Sequence, residues 1–155
     1  MRILVDTREQ LPLDFSPYPD VTTEIGGLYV GDYSLRGLEH LVAVERKSLP
    51  DLIGSLTTGR ERFGHELQRG QGIKLAVVIE GTLEQVRHHQ YRSKAEPHAI
   101  LQSLISWRWR YGVDFMWCGD AAGAAYHAYH WLRQYVRLES DRLKTIERYH
   151  TEAMA

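Results

Sequence analysis

At 155 residues, with 43% hydrophobic and 25% charged side chains, the chain has the size and balance of one domain with a real core. Its net charge of −1 gives no general warrant for a polyanionic partner, and apolar runs such as Leu75 to Ile79 are far too short to cross a bilayer. The opening Met-Arg-Ile-Leu-Val-Asp argues against a secretory signal, and the single cysteine, Cys118, has no partner for an internal disulfide, which suits a reducing compartment.

In chain order, Arg2 to Asp6 is a short apolar run that predicts a buried strand. Gln10 to Asp20 carries Pro12, Pro17 and Pro19, which deny a helix and predict a loop. Val21 to Glu24 predicts a short strand closed by Gly26 and Gly27, and Tyr29 to Leu35 with Leu41 to Lys47 predicts a hairpin around the polar turn Gly37 to His40. These first strands suggest a mainly antiparallel beginning. Ser48 is a good N-cap, with Asp51 three residues on and Pro50 tolerated in the first turn. Leu49, Leu52, Ile53 and Leu56 then mark one buried stripe, and Gly59 a stop. Arg60 to Arg69 predicts a second helix burying Phe63 and Leu67. Lys74 to Glu80 predicts a strand covered on both faces. Helices follow over Leu83 to His89 and Pro97 to Tyr111, then a strand over Val113 to Trp117. Asp120 caps a long, small-residue helix, Ala121 to Arg137. Residues 138–155 form a charged extension, either a protruding helix or a frayed tail. The expected architecture is an α/β domain over 1–137, a mixed sheet flanked by helices, with no internal repeat or linker.

The chemistry concentrates in Gly31-Asp32 and Glu45-Arg46-Lys47. Along a strand Glu45 and Lys47 share a face while Arg46 points the other way. With the turn centred on Leu38 and Glu39, antiparallel partners sum to 77 and Asp32 falls opposite Glu45. Two carboxylates about 5 Å apart repel unless a proton or cation intervenes. With Lys47 one pleat along, such a site asks for a hard divalent ion that could polarise a phosphodiester and generate hydroxide. Asp6 could add a third carboxylate if its strand lies alongside. Charges flanking a strand also form ordinary surface salt bridges, and spacing alone leaves both readings open.

The same residues resemble a known signature. Gly31-Asp32, Glu45-Arg46-Lys47 and Asp51 are similar to the G-D-(spacer)-E-R-K-x-x-x-D pattern of the XPF/Mus81 (ERCC4-type) nuclease family. Val5-Asp6-Thr7-Arg8-Glu9 looks like its first strand motif, and Gly59-Arg60-Glu61-Arg62-Phe63 like the segment after its first helix. The resemblance implies a restriction-endonuclease-like core and Mg²⁺- or Mn²⁺-dependent cleavage of DNA, flaps, forks or junctions included, in repair or recombination. It also implies a homodimer. Asp32 and Glu45 would be metal ligands with Asp6 beside them, and Lys47 the catalytic lysine. Arg46 would be a conformational or phosphate-contacting partner, Glu9 a further acidic residue, and Asp51 a holder of the helix start. Beside the site, Arg60 and Arg62 are the candidates for DNA contact.

The family's tandem helix-hairpin-helix module finds no counterpart in 138–155, which leaves room for a separate DNA-binding partner. A short stand-alone enzyme would suit the cytoplasm of a bacterium or of a phage-infected cell. The rival reading is a catalytically silent DNA-binding or scaffolding relative, against which the complete Asp32, Glu45 and Lys47 set argues. Arg60 to Arg110 carries nine Lys/Arg against five Glu, a surface for phosphates or merely for water. Cys118, His127 and His130 lack the second cysteine of a recognised zinc spacing. Of Trp107 and Trp109, neighbours that cannot share a helix face, one is expected in the core and the other in solvent.

Overall fold

In a computed structural model describing Met1 to Thr151, six strands form one sheet. They are β1 (Arg2–Asp6), β2 (Thr22–Gly26), β3 (Tyr33–Leu35), β4 (Val42–Ser48), β5 (Lys74–Glu80) and β6 (Asp114–Trp117), in the order β2-β1-β3-β4-β5-β6. The helices are α1 (Leu49–Leu56), α2 (Arg60–Arg69), α3 (Leu83–Arg87), α4 (Pro97–Tyr111) and α5 (Ala121–His150). Among the described residues no helix is long and apolar enough to cross a membrane.

β4 is the hinge of the architecture. It pairs antiparallel with β3 and parallel with β5, so its two neighbours come from differently built halves. Alternation along β4 and β5 sends Ala43, Val77 and Ile79 into one core with Leu52, Ile53, Phe63, Ile100 and Trp107 from α1, α2 and α4. Val42, Val44 and Val78 enter a second core with Ala124, Ala128 and Leu132 of α5 and with Phe15 from the proline loop. With both faces covered, five consecutive residues of β5, Leu75 to Ile79, are buried. Its leucine, valine and isoleucine side chains each contribute about 1.5–3 kcal/mol of burial free energy.

The predicted strands and helices recur with small shifts, and the differences have physical causes. β2 lies parallel to β1, not antiparallel. The proline loop from Thr7 to Val21 is long enough to carry the chain back across the sheet end, which a parallel neighbour requires. The first hairpin strand begins at Tyr33, not Tyr29, because Gly31 sits at φ +81° and breaks the extended run. α1 ends at Thr57. Gly59 instead donates its N–H back to Gly54 O at 2.8 Å and stands at the N-cap of α2. Ser48 caps α1 by accepting from the Asp51 amide at 3.2 Å, so the cap is Ser48's while Asp51 supplies a first-turn negative charge. α3 stops at Arg87 after a complete capping box between Thr82 and Gln85. α5 runs unbroken across 137–138 to His150, its deepest burial ending at Leu132.

Candidate metal centre and nuclease site

The hairpin register is as the sequence predicts: Tyr33 faces Val44 and Ser34 faces Ala43, a constant sum of 77. One step further the ladder gives way. The Asp32 amide donates to Val44 O at 2.8 Å in place of Glu45 O, while its carbonyl accepts from the Asp6 amide at 2.8 Å. Gly31 makes this possible. A Cβ there would lie 2.9 Å from Val44 O, in a left-handed conformation that side chains rarely adopt. The offset delivers the Asp32 carboxylate to the amide of Arg46, which donates to Oδ2 at 2.8 Å.

Asp32 and Glu45 line one cavity of about 220 Å³. Lys47 Nζ stands 3.4 Å from Glu45 Oε1 and 4.6 Å above the Phe63 ring, with Glu45 and Lys47 both largely shielded from water. Two carboxylates and an ammonium therefore share the sheet face that α1 and α2 cover. Burial raises the Asp32 carboxyl to about 6 against the pull of the Arg46 amide. Burial, reinforced by the charge of Asp32, raises Glu45 to about 8, with Lys47 opposing. The pair is short of positive charge.

Across β4 the cation is the closely partnered member. Arg46 donates through Nε to Glu80 and through Nη1 to Leu11 O, and lies 3.6 Å from Glu9. Glu9 accepts from the Tyr33 hydroxyl at 2.8 Å, and that hydroxyl accepts from the Leu13 amide at 2.8 Å. Burial and the Glu9 carboxylate keep the Tyr33 hydroxyl protonated.

Asp6 is 2% exposed, and its oxygens are already engaged. Oδ1 accepts from Arg8 N at 2.9 Å and Nε at 2.7 Å, and Oδ2 from Leu28 N at 2.7 Å. Burial pushes its carboxyl up, but these donors outweigh it and hold it below the ordinary range. Asp6 thus fixes Arg8, whose guanidinium stands at the wall of the Asp32–Glu45 cavity. Arg60 packs 4.8 Å over the Trp107 ring and donates to Ser103 Oγ at 2.8 Å, while Arg62 is exposed on α2.

Arg8, Tyr29, Glu66 and Arg69 complete the cavity wall and were not singled out by spacing, because they come from separate segments. The Arg8 signal was the Asp6-x-Arg8 step. That of Glu66 was its helical spacing of three from Phe63. Trp107 is 4% exposed and Trp109 88%, the division expected of neighbours on a helix. His127 Nδ1 meets Gly123 O at 2.9 Å, and the Cys118 thiol points to Met116 O.

Among the described residues no group of three or more His, Cys, Asp or Glu side chains is arranged to hold an ion. Magnesium does not require one, since it is commonly held by one or two carboxylates, its own waters and substrate phosphates. The Asp32–Glu45 pair fits such a hydrated ion and not a closed protein cage.

The ERCC4 domain model matches residues 5–130. The fold is similar to XPF from Aeropyrum pernix, with TM-score 0.66 and 24% identity over 87% of this chain and 61% of that one. A second structure, XPF from Aeropyrum pernix in complex with DNA, matches at TM-score 0.66 and 25% identity over 88% of this chain and 65% of that one. The chain thus spans less than two thirds of the solved relatives it matches. No curated protein matches it.

Proposed function

The chain belongs to the ERCC4 domain family, and on that premise we propose that it is a Mg²⁺- or Mn²⁺-dependent DNA endonuclease. The observation that carries the reading is the half-buried Asp32–Glu45 pair at one cavity, both carboxyls raised, beside an ammonium 3.4 Å from Glu45. Asp32 and Glu45 would hold the ion. When bound, the ion would polarise a phosphoryl oxygen and activate water for attack on phosphorus. Lys47 orients the attacking water and stabilises charge developing on the phosphate. Arg8 and Arg69, at the cavity wall, meet phosphates flanking the scissile bond. The Arg46 side chain acts as a positioning group: anchored by Glu80 and Glu9, it steadies the amide that holds Asp32. Arg62 is freer than Arg60 to contact DNA, because Arg60 is engaged with α4.

The test incubates the protein with flap, fork, nicked and linear DNA in Mg²⁺ or Mn²⁺. Cleavage that disappears in Glu45→Ala supports the reading, whereas no cleavage of any substrate, or equal cleavage by the variant, sinks it. Titration with Mn²⁺ separates the scaffolding alternative, which has no use for an ion.

A homodimer, which the resemblance implies, belongs to the same proposal. The small residues Ala124, Ala125 and Ala128 pack into the chain's own core and leave nothing for a partner. One exposed apolar surface is formed by Trp109, Ile105 and Leu83, 88%, 53% and 40% exposed, around a groove that Phe115 and Trp117 of the edge strand β6 also line. Sedimentation should show a dimer for the wild-type chain and a monomer for Trp109→Asp, and a monomeric wild type at micromolar concentration would remove the dimer.

A further inference from the structure

The stripe that docks α5 on the sheet does not stop where the sheet stops. Ala125, Ala128 and Leu132 follow one another at spacings of three and four and are buried in the second core. Tyr135, partly buried, takes the next place, and Glu139, Arg142, Ile146 and Tyr149 continue at spacings of four, three, four and three. Such a repeat, averaging about 3.5 residues, is the one with which helices wind around each other. Val136, Leu138 and Leu143 flank it, while Arg137, Asp141, Lys144 and Arg148 lie on the far side of the helix.

Past the core this stripe lies open. Leu143, Ile146 and Tyr149 are 49%, 44% and 69% exposed. Leu138, Arg142 and Ile146 line a shallow trough along it, with Asp141 and Thr145 at its side. A helix that merely reached into water would be polar all round. This one keeps an apolar face for about five turns beyond Leu132, which fits a helix that lays that face on a partner.

Two charges in the middle of the stripe decide which partner fits. Glu139 and Arg142 stand on the seam itself and meet each other along the helix at 2.9 Å. A second copy laid parallel would set Glu139 against the partner's Glu139 and Arg142 against the partner's Arg142, like charge on like. An antiparallel copy, related by a two-fold axis between positions 140 and 141, brings together positions whose numbers sum to 281. Glu139 then faces the partner's Arg142, Tyr135 the partner's Ile146, and Leu138 the partner's Leu143. Each charge on the seam meets its opposite, and the apolar side chains around it meet apolar ones. Charged seam positions of this kind fix register and direction in paired helices.

We propose that the outer half of α5 is a self-docking surface, pairing antiparallel with the same segment of a second copy through Tyr135, Leu138, Glu139, Arg142, Leu143 and Ile146. The contact is separate from the one around Trp109, with which it shares no residue. It is short, at the low end of specific interface sizes, so it forms at roughly 100 μM and above and not at micromolar concentration. Where both contacts operate, this one joins dimers to each other. No residue of the Asp32–Glu45 cavity takes part, so the pairing stands or falls apart from the nuclease reading.

Sedimentation equilibrium would follow the full chain carrying Trp109→Asp, which takes the edge-strand contact out of the measurement. This chain should dimerise as its concentration is raised through roughly 100 μM. Adding Glu139→Arg or Arg142→Glu sets like charges across the seam, and each should weaken association by at least about tenfold. An equimolar mixture of the two reversed chains restores opposite charges and should recover the original affinity within about twofold. Ile146→Asp should also dissociate the pair, and no partner variant should rescue it. All four substitutions lie on the exposed part of α5 or at its half-exposed neighbour Glu139, clear of the cores. Recovery in the mixture is the decisive reading, because a charge that only steadied its own helix would not be repaired by a second chain. A chain that stays monomeric throughout, association indifferent to either reversal, or a mixture no better than its components overturns the proposal. A mixture that pairs while the unreversed chain does not means parallel pairing, and overturns it as well.

Discussion

Glu45 and Arg46 are sequence neighbours on one strand, yet they sit in opposite electrostatic regimes. On one side of β4, Arg46 meets Glu80, Glu9 and a carbonyl, and its charge is fully answered. On the other, two half-buried carboxylates share one lysine and are pushed toward protonation. An answered charge holds a fold together. An unanswered one, kept in place by a glycine-dependent offset, is a cost to the metal-free protein, and it makes sense if something positive arrives.

That contrast can be broken most severely through activity. Glu45→Gln and Lys47→Met should each reduce metal-supported cleavage by roughly 10²–10³-fold while leaving the far face of β4 undisturbed. In the same experiment, Glu45→Gln should raise the melting temperature of the metal-free protein. A lowered one would mean that the carboxylate is answered after all.

The opposite face should respond in stability. Arg46→Met strands Glu80 and Glu9 in a poorly hydrated setting and should cost about 3 kcal/mol in urea unfolding. A change below about 0.5 kcal/mol, typical of surface positions, would show that the Arg46 network is solvated and incidental.

The smallest effect is the pH dependence, whose sign separates the two faces. Asp32 and Glu45 bind protons more tightly in the folded chain than in the unfolded one, so stability declines as pH rises. The penalty is absent well below pH 4, where both states are protonated, grows from about pH 4 as the unfolded chain's carboxyls ionise, and is complete for Asp32 above about 6 and for Glu45 above about 8. Metal-free melting temperatures should therefore fall across this window by a few degrees more than those of Glu45→Gln. Mn²⁺ should restore the difference most at the alkaline end. A wild-type profile parallel to that of the variant would contradict the assignment.

Much of this was legible from residue order. Alternation separated Glu45 from Arg46, and the position of one turn fixed the register that brings Asp32 toward Glu45. Strong periodicity located α2, β5 and α4 to the residue. What could not be read depended on partners distant in sequence. Strand direction is not encoded by alternation, so β2 next to β1 was open. Arg8, Glu66 and Arg69 converge only after the sheet and α2 pack. The alanines of α5 give the same pattern whether they face a sheet or a second protein, and here they face the sheet. Asp6 carried the right motif, but its sequence could not reveal that its oxygens are taken by Arg8 and Leu28.

The unbroken course of α5 has a mechanical consequence. Beyond Leu132, where its deep burial ends, the helix continues to His150 as a rod of about 27 Å at 1.5 Å per residue. Rise and rotation are locked in a helix, so anything joined to its tip inherits both a distance and an azimuth from the sheet. Adding one residue midway would swing that attachment by about 100° while barely lengthening the arm. A flexible tether would absorb such a change, but this spoke transmits it.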